Sequence, residues 1–237
     1  MYTNTRACAG RGTRCAFDIV ALEERLSLED FEKYEDARLV LSFKKGAVLF
    51  DEGEVAKGVF FIAKGTAKLS KTSVYGKEQI LRFIKEGDLI GYRSLLCGEL
   101  LGARAEAMTQ LEAVFIPSGI FIYLLQGNST LSYCMLQKIA YELGESSNTV
   151  AFLAHKTVRE RLAEILLLLE KKLGKDTEGY INISLTREEI ANLIGTATES
   201  AIRLISEFRT DLLISVEGRN IKILDHEKLT KLARVSL

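Results

Sequence analysis

Four side chains near the C-terminus have the types and the spacing needed to read the edges of DNA bases. They share one face of a helix that we predict over residues 197–208, and they are Thr198, Glu199, Ile202 and Arg203. A guanidinium can bind guanine O6 and N7 together, and a carboxylate can accept a hydrogen bond from cytosine N4. We therefore predict base contacts at this face. The alternative is that Glu199 only caps its helix and pairs with Arg203, four residues further on. The two roles are compatible, because a carboxylate that fixes the arginine also serves recognition.

Two capping boxes predict where the helices around these residues begin. Each has a threonine followed three residues later by a glutamate: Thr186 with Glu189, and Thr196 with Glu199. Gly195 lies between them, where a tight turn is needed. Two short helices joined in this way are typical of a helix-turn-helix, whose second helix enters the major groove of DNA.

The segment after these helices predicts a wing. Two apolar runs flank residues 217–220 (EGRN), as in a β-hairpin. Side chains at the helix starts and at the hairpin turn are expected to bind phosphates and so set the docking register. The predicted phosphate contacts are Thr186, Arg187, Thr196, Ser200 and Arg219.

Residues 129–154 predict one long helix, with Asn128 or Ser129 as its N-cap. One of its faces repeats at heptad spacing, which favours packing against a second copy of the helix. The seam residues are Leu136, Ile139, Leu143, Ser146, Val150 and Leu153. The alternative is that this face packs on its own domain. Other predicted elements are helices over 17–36 and 157–173, and a short strand at 181–185 (INISL).

From about Ala37 to Pro117 the pattern changes to short strands separated by glycines, which predicts a β-sandwich or barrel. One hairpin is expected to turn at Tyr75–Lys77. Within this region, residues 91–107 (GYRSLLCGELLGARAEA) contain a short helical piece bounded by glycines. Several sensor domains hold a phosphate in such a piece. The sequence therefore raises the question of a small charged effector here.

The composition excludes several classes of protein. The 237 residues are long enough for two domains, and 32 basic residues balance 32 acidic ones, so any surface for nucleic acid must be local. A membrane-spanning helix needs about 18 consecutive apolar residues, and no apolar run in this sequence approaches that length. The first residues also lack the apolar region of a signal peptide. These features predict a cytoplasmic protein without membrane contact. Two histidines are too few for a cupin-like metal enzyme, and no hydrolase or P-loop motif is present, so we predict no enzyme activity and no metal site.

The order of these parts resembles the Crp/Fnr family of bacterial transcription regulators over nearly the whole chain. The most specific segments are VRERLAEILLLL, LTREEIANLIGTATESAIRLISEF and GDLIGYRSLLCGE, the last similar to Bacteroidetes-type members. The resemblance implies an α+β fold in three parts. These are a cyclic-nucleotide-binding-like β-sandwich or jelly-roll sensor domain with N-terminal helices over 1–128, a dimerisation helix over 129–155, and a winged helix-turn-helix over 156–237.

The family also implies partners and a mechanism. A homodimer would bind a palindromic operator and recruit or block RNA polymerase, and a signal in the β-domain would shift the population of dimer-helix arrangements. Thr198 stands where the cyclic-AMP-responsive branch has an arginine, which implies a half-site closer to TTGAT than to TGTGA. A cyclic-nucleotide-binding module that tunes a partner protein without DNA binding is the alternative function.

The resemblance argues against cyclic AMP as the effector. We call residues 91–107 the effector cassette. In the cyclic-AMP-responsive branch, a glutamate directly after the first glycine of this cassette binds the ribose, and an Arg-Ser pair further along the cassette holds the phosphate. This chain has Tyr92 after Gly91, and Leu101 and Gly102 where the pair would stand. Burying a phosphate without a guanidinium would be costly. Arg93-Ser94 and Arg104 could hold a different anion, and Ser146 and Ser147 match positions that touch adenine. A different small ligand and an empty pocket both stay open.

An iron–sulfur cluster is also disfavoured. The oxygen-sensing branch has three clustered N-terminal cysteines and a fourth before the long helix, whereas this chain has only Cys8 and Cys15 near its start. A cluster needs four converging ligands, and Cys97 and Cys134 would have to join through an unusual geometry. A redox-active Cys8–Cys15 pair is a further alternative. We predict no cofactor.

Overall fold

The computed structural model describes residues 19–73, 76 and 78–234. Two helices come first, α1 (Ile19–Glu23) and α2 (Leu28–Ala37). Helical structure was predicted over 17–36, and within the described residues it forms as two helices and not as one continuous helix. The chain leaves the helix after Glu23 and starts again at Ser27, whose side chain accepts a hydrogen bond from the N–H of Asp30.

Two four-stranded sheets form the predicted sandwich. The strands are β1 (Leu39–Phe43), β2 (Val48–Phe50), β3 (Gly58–Lys64), β4 (Ala67–Thr72), β5 (Glu78–Ile84), β6 (Leu89–Ile90), β7 (Arg104–Ala107) and β8 (Leu111–Pro117). Their order is β1-β8-β3-β6 in one sheet and β2-β7-β4-β5 in the other. This interleaving of eight strands is a jelly roll. β4 and β5 are neighbours as predicted, and the turn residues Tyr75 and Lys77 lie outside the described part of the chain.

The first five residues of β3, GVFFI, are buried because both faces of its sheet are covered there. Phe60 and Ile62 point into the core between the two sheets, while Val59 and Phe61 join a second core under the helices. Side chains of a strand alternate between its faces, so a strand covered on both sides reads as a continuous apolar run.

Two helices follow the sandwich, α4 (Ser118–Gly127) and α5 (Ser129–His155). The sequence analysis missed α4, which buries Phe121 and Leu124 against the second core. Asn128 separates the helices and caps α5, because its Oδ1 accepts hydrogen bonds from the N–H groups of Thr130 and Leu131. The long helix was therefore predicted correctly.

The C-terminal elements are α6 (Val158–Leu173), α7 (Arg187–Ile194), α8 (Thr198–Thr210), β9 (Ile214–Glu217), β10 (Asn220–Ile223) and α9 (His226–Ala233). The strand predicted at 181–185 does not form, since Ile181 makes only an isolated bridge with Lys175. Backbone contacts divide the chain into two compact units. The first takes the residues up to Leu69 and Phe83–Glu145, and the second takes Ser70–Arg82 and the residues from Ser146 on. The three predicted domain boundaries stay a prediction.

Candidate nucleic-acid interface and effector cassette

The first capping box forms as predicted at the start of α7. The side chain of Thr186 accepts a hydrogen bond from the N–H of Glu189 at 3.1 Å, and the Glu189 carboxylate accepts one from the N–H of Thr186 at 2.8 Å. The helix ends at Gly195, which has φ +62° and whose N–H bonds to the carbonyl of Ala191. A left-handed residue of this kind is the usual helix stop, and it turns the chain toward α8.

The second predicted capping box, Thr196 with Glu199, was wrong. The N-cap of α8 is Ala197, which makes no side-chain cap, and the helix spans Thr198–Thr210 instead of the predicted 197–208. Thr196 is occupied elsewhere, because its N–H bonds to the carbonyl of Ala191 at 3.0 Å and so belongs to the turn that closes α7.

This shift leaves the Glu199 carboxylate available to a ligand. Glu199 is exposed, and within the described residues it makes no hydrogen bond or ion pair. The ion pair between Glu199 and Arg203 that we considered is not formed among the described residues. Arg203 instead points along the helix, with its Nε 3.9 Å from an Oε of Glu207 and its side chain 75% exposed. Both groups can therefore meet a partner without first breaking a strong internal contact.

The buried face of α8 fixes which residues point outward. Ala201, Leu204, Ile205 and Phe208 are all buried. Glu199, Ile202 and Arg203 lie on the exposed side, and Thr198 and Ser200 are half-buried at its edges. The four predicted base-contact residues are thus at the N-terminal end and outer side of one amphipathic helix.

Arg159 holds the other end of α8 in place. Its guanidinium donates to Glu207 at 2.7 Å and to Asp211 at 2.8 Å, and it lies 5.0 Å from the centre of the Phe208 ring. A single exposed ion pair contributes little to the free energy of folding, but the two ion pairs and the cation–π contact together orient α8 on α6. The sequence analysis did not single out Arg159.

The predicted wing is present. β9 and β10 pair with Glu217 opposite Asn220, which leaves a two-residue turn of Gly218 and Arg219. Gly218 has φ +57°, while Arg219 keeps an ordinary negative φ, and this matches a type II′ hairpin turn. The turn presents the Arg219 side chain to solvent, where it contacts no charged partner among the residues described.

Two further contacts fasten the wing. The Tyr180 hydroxyl donates to the Glu217 carboxylate at 3.0 Å, and this bond raises the pKa of Tyr180. Arg187, one of the predicted phosphate contacts, donates from Nη2 to the carbonyl of Gly218 at 3.0 Å. The structure thus brings Arg187 and Arg219 to the same turn. Tyr180 was missed because nothing in its sequence neighbourhood marks a contact 37 residues away.

The effector cassette begins at a close approach of two backbones. Gly91 has φ +87°, and a Cβ there would lie 3.1 Å from the carbonyl oxygen of Gly58. The short helix α3 (Tyr92–Cys97) follows and ends at Gly98, which is also left-handed. The helical piece bounded by glycines is therefore present. Leu101, by contrast, is buried in the core between the sheets and offers no polar atom to a ligand.

Tyr92 joins this cassette to the long helix. The residue is only 4% exposed, and its hydroxyl donates to the carboxylate of Glu142 on α5. Lys138, one turn earlier, pairs with the same carboxylate at 3.1 Å and lies 5.8 Å from the centre of the Tyr92 ring. A buried tyrosine with its hydroxyl satisfied is a structural contact, and it links α3 to α5 directly.

Carboxylates already neutralise both arginines of the cassette. Arg93 pairs with Glu99 at 2.9 Å, and its Nη2 lies over Gly102, where a Cβ would approach to 2.8 Å. Arg104 pairs with Asp51 at 2.7 Å and lies 3.5 Å from Glu106. A phosphate would have to compete with these acids. Ser94 is buried beside Arg93, and Ser146 and Ser147 are exposed on α5.

The predicted seam faces solvent in the single chain. Leu136 is 60% exposed and Val150 is 68% exposed, and Ile139, Leu143, Ser146 and Leu153 are exposed as well. Large apolar side chains thus line one exposed face of this 27-residue helix, a feature typical of interaction surfaces.

The remaining candidate chemistry is limited. Among the described residues, no group of three or more His, Cys, Asp and Glu side chains could hold a metal ion. Cys97 is exposed, Cys134 is buried in the core, and Cys8 and Cys15 lie outside the described residues. No helix in the described ranges is long and apolar enough to cross a bilayer.

Comparison with known proteins gives two family models that match different parts of the chain. Residues 40–128 match the cyclic nucleotide-binding domain, and residues 160–232 match the Crp-like helix-turn-helix domain. The chain is 27% identical over 196 residues to the CRP-like cAMP-activated global transcriptional regulator of Mycobacterium tuberculosis, covering 82% of this chain and 88% of the relative. It is 29% identical over 197 residues to the fumarate and nitrate reduction regulatory protein of Vibrio cholerae, covering 81% and 78%. The structure of FixK2 from Bradyrhizobium japonicum has the same fold, with a TM-score of 0.73 and 22% identity over 85% of this chain and all of that one.

Proposed function

The chain belongs to the Crp/Fnr family of transcription regulators and regulates transcription by binding DNA, and on this premise we propose that it acts as a homodimer on a palindromic operator. The outer face of α8 carries the proposal. Its Arg203 is free to bind guanine, and its Glu199 makes no internal contact that DNA would have to break.

Phosphate contacts surround this face. The proposed positions are Thr186 at the start of α7, Thr196 in the turn before α8, Ser200 on α8, and Arg187 and Arg219 at the wing. Arg219 is exposed at the tip of the hairpin, and Arg187 supports the same turn through the carbonyl of Gly218. Contacts of this class set the register and orientation of the protein on DNA without specifying its sequence.

The dimer would pair the α5 helices through their exposed seam. Two helix-turn-helix units related by a two-fold axis bind half-sites about one helical turn apart, which is why the operator would be palindromic. RNA polymerase is the expected partner on the promoter, and the cytoplasm is the expected location.

The signal that gates the dimer would act at the β-domain, and cyclic AMP does not fit it. Tyr92 and Leu101 are packed into cores, and the guanidinium groups of Arg93 and Arg104 are held by carboxylates. The name of one relative includes activation by cAMP, whereas the name of the other mentions no effector, so family membership leaves the effector unspecified. We therefore expect another small ligand or no ligand in this cassette, and no resident cofactor.

One experiment tests the interface. Operators would be selected from a randomised DNA library with the purified chain, and affinities would be measured by fluorescence anisotropy at fixed salt. Arg203→Ala should lose about 1–3 kcal/mol of discrimination at one G·C pair in each half-site. Arg209→Ala is the matched control, because Arg209 is exposed on the last turn of the same helix. Unchanged base preferences in Arg203→Ala, or failure to select any operator, would refute the proposal.

A second arm of this experiment tests the gate. The affinity for the operator should be the same with and without millimolar cyclic AMP. A tenfold or larger tightening would contradict the proposal and would implicate Arg93 or Arg104 in phosphate binding.

A further inference from the structure

Ile202 is an exposed aliphatic side chain on the DNA-facing side of α8. The other apolar residues of this helix, Ala201, Leu204, Ile205 and Phe208, are buried, whereas Ile202 is 49% exposed. Isoleucine has only a moderate helix propensity, because its branched Cβ loses rotamer freedom against the preceding turn. Neither packing nor helix formation therefore accounts for an isoleucine at this position.

The neighbours of Ile202 place it inside the proposed base-reading surface. It directly precedes Arg203, and Glu199 lies three residues before it on the same face. Ile202 and Arg203 lie three and four residues after Glu199, so both have Cβ atoms about 5–6 Å from that of Glu199. The three side chains therefore span less than two base steps of about 3.4 Å each. If Arg203 binds a guanine, Ile202 comes to the edge of an adjoining base pair.

The major groove offers a single apolar group to such a side chain, the C5-methyl of thymine. Every other base edge there presents hydrogen-bond donors or acceptors, which an isoleucine cannot satisfy and would desolvate. We propose that Ile202 specifies a thymine next to the guanine read by Arg203, through contact with its methyl group. This inference rests on the proposed function of α8 and adds the chemistry of one further base position.

The test removes one methyl group from DNA and compares proteins. In the selected operator, each thymine of the half-site is replaced in turn by uracil, which has the same hydrogen-bonding edge without the methyl. For the unmodified chain, one substitution beside the guanine should weaken binding about 4-fold per half-site, the equivalent of about 0.8 kcal/mol for one buried methyl. Ile202→Ala should bind the thymine and uracil operators equally, and Ile202→Val should keep most of the difference.

Controls separate the possible outcomes. Leu168→Ala changes an exposed aliphatic residue on α6 and should leave the thymine preference intact. Thr198→Ser removes the other methyl group on this face, four residues before Ile202, and should also leave it intact. If the preference for thymine survives Ile202→Ala, or disappears in Thr198→Ser instead, the inference is wrong while operator binding stands. If no operator can be selected, the proposed function and this inference both fall.

Discussion

Glu189 and Glu199 each follow a threonine by three residues, yet only Glu189 is used inside the protein. Its carboxylate closes the capping box of α7, whereas Glu199 is exposed and makes no hydrogen bond within the described residues. The difference lies in the preceding threonine. Thr186 is the N-cap of its helix, while the backbone of Thr196 is held by the turn after α7. The same pair of residue types therefore serves stability in one case and is available for recognition in the other.

This contrast predicts opposite effects of two substitutions. Glu199→Gln should leave the free energy of unfolding within about 0.5 kcal/mol of the unmodified chain, because no internal contact is lost. It should reduce the preference for one C·G pair of the operator, since the amide can also donate a hydrogen bond. Glu189→Ala should instead cost about 1 kcal/mol of stability through the lost cap, with base preferences unchanged.

Thermal unfolding and anisotropy on single-base operator variants, measured on both proteins, check this pair of predictions. A clear loss of stability in Glu199→Gln would mean that its carboxylate caps α8 in solution. In that case the sequence pattern at Thr196 would have been the better guide.

At the scale of elements, the proposed gating would depend most on the contact between α3 and α5. The Tyr92 hydroxyl, the Glu142 carboxylate and the Lys138 ammonium form one cluster that joins the cassette to the long helix. A movement of α3 would therefore be felt by α5 without a ligand between them. Tyr92→Phe removes the hydroxyl and keeps the ring in its core.

We expect Tyr92→Phe to lower the free energy of unfolding by about 1.5–3 kcal/mol, since one buried hydrogen bond to a charged group is lost. Hydrogen exchange should quicken at the amides of α3 and around Glu142, because local opening no longer breaks this bond. The control is Tyr133→Phe, which removes a hydroxyl from an exposed tyrosine on α5 and should change neither quantity. Unchanged exchange in Tyr92→Phe would show that packing alone holds α3 on α5.

Local patterns predicted the long elements well and the short ones poorly. The heptad repeat and Asn128 marked α5, and the run KTVRERLAEILLLLEKKLG with its final Gly174 marked α6, whose Thr157 capping box was not predicted. The strand predicted at 181–185 was wrong because an apolar run of that length also suits a buried loop, and Ile181 and Leu185 are indeed buried. The sequence predicted which residues of α8 lie on its outer side. It did not predict that the Glu199 carboxylate makes no capping contact, because this depends on the geometry of the preceding turn, which the spacing of residue types does not determine.

At the scale of the whole molecule, the order of sandwich, long helix and winged helix could be predicted, because apolar residues repeat with a different period in strands and in helices. Strands alternate every two residues, helices repeat at 3.6, and the switch near residue 118 separates them. The pairing order within the jelly roll was not readable in this way. It joins strands far apart in sequence, such as β1 with β8, and residue patterns do not encode such pairs.

The proposed dimerisation is the property of the whole molecule on which operator recognition would depend most. In the single chain, the large apolar side chains of Leu136, Ile139, Val150 and Leu153 are all exposed on one face of α5. Burying a leucine side chain contributes about 1.5–3 kcal/mol, and in a symmetric pair each seam residue is buried twice. A charge introduced into the seam would be buried twice as well, without a partner.

Leu136→Glu should therefore yield a folded monomer at micromolar concentration in analytical ultracentrifugation, while the unmodified chain sediments as a dimer. Its affinity for a palindromic operator should fall to that for a single half-site, because the two recognition helices are no longer linked. Gln137→Glu is the matched control, since it adds the same charge one residue away and outside the seam, and it should remain a dimer. A dimeric Leu136→Glu protein would mean that α5 packs elsewhere and that two-fold operator recognition needs another interface.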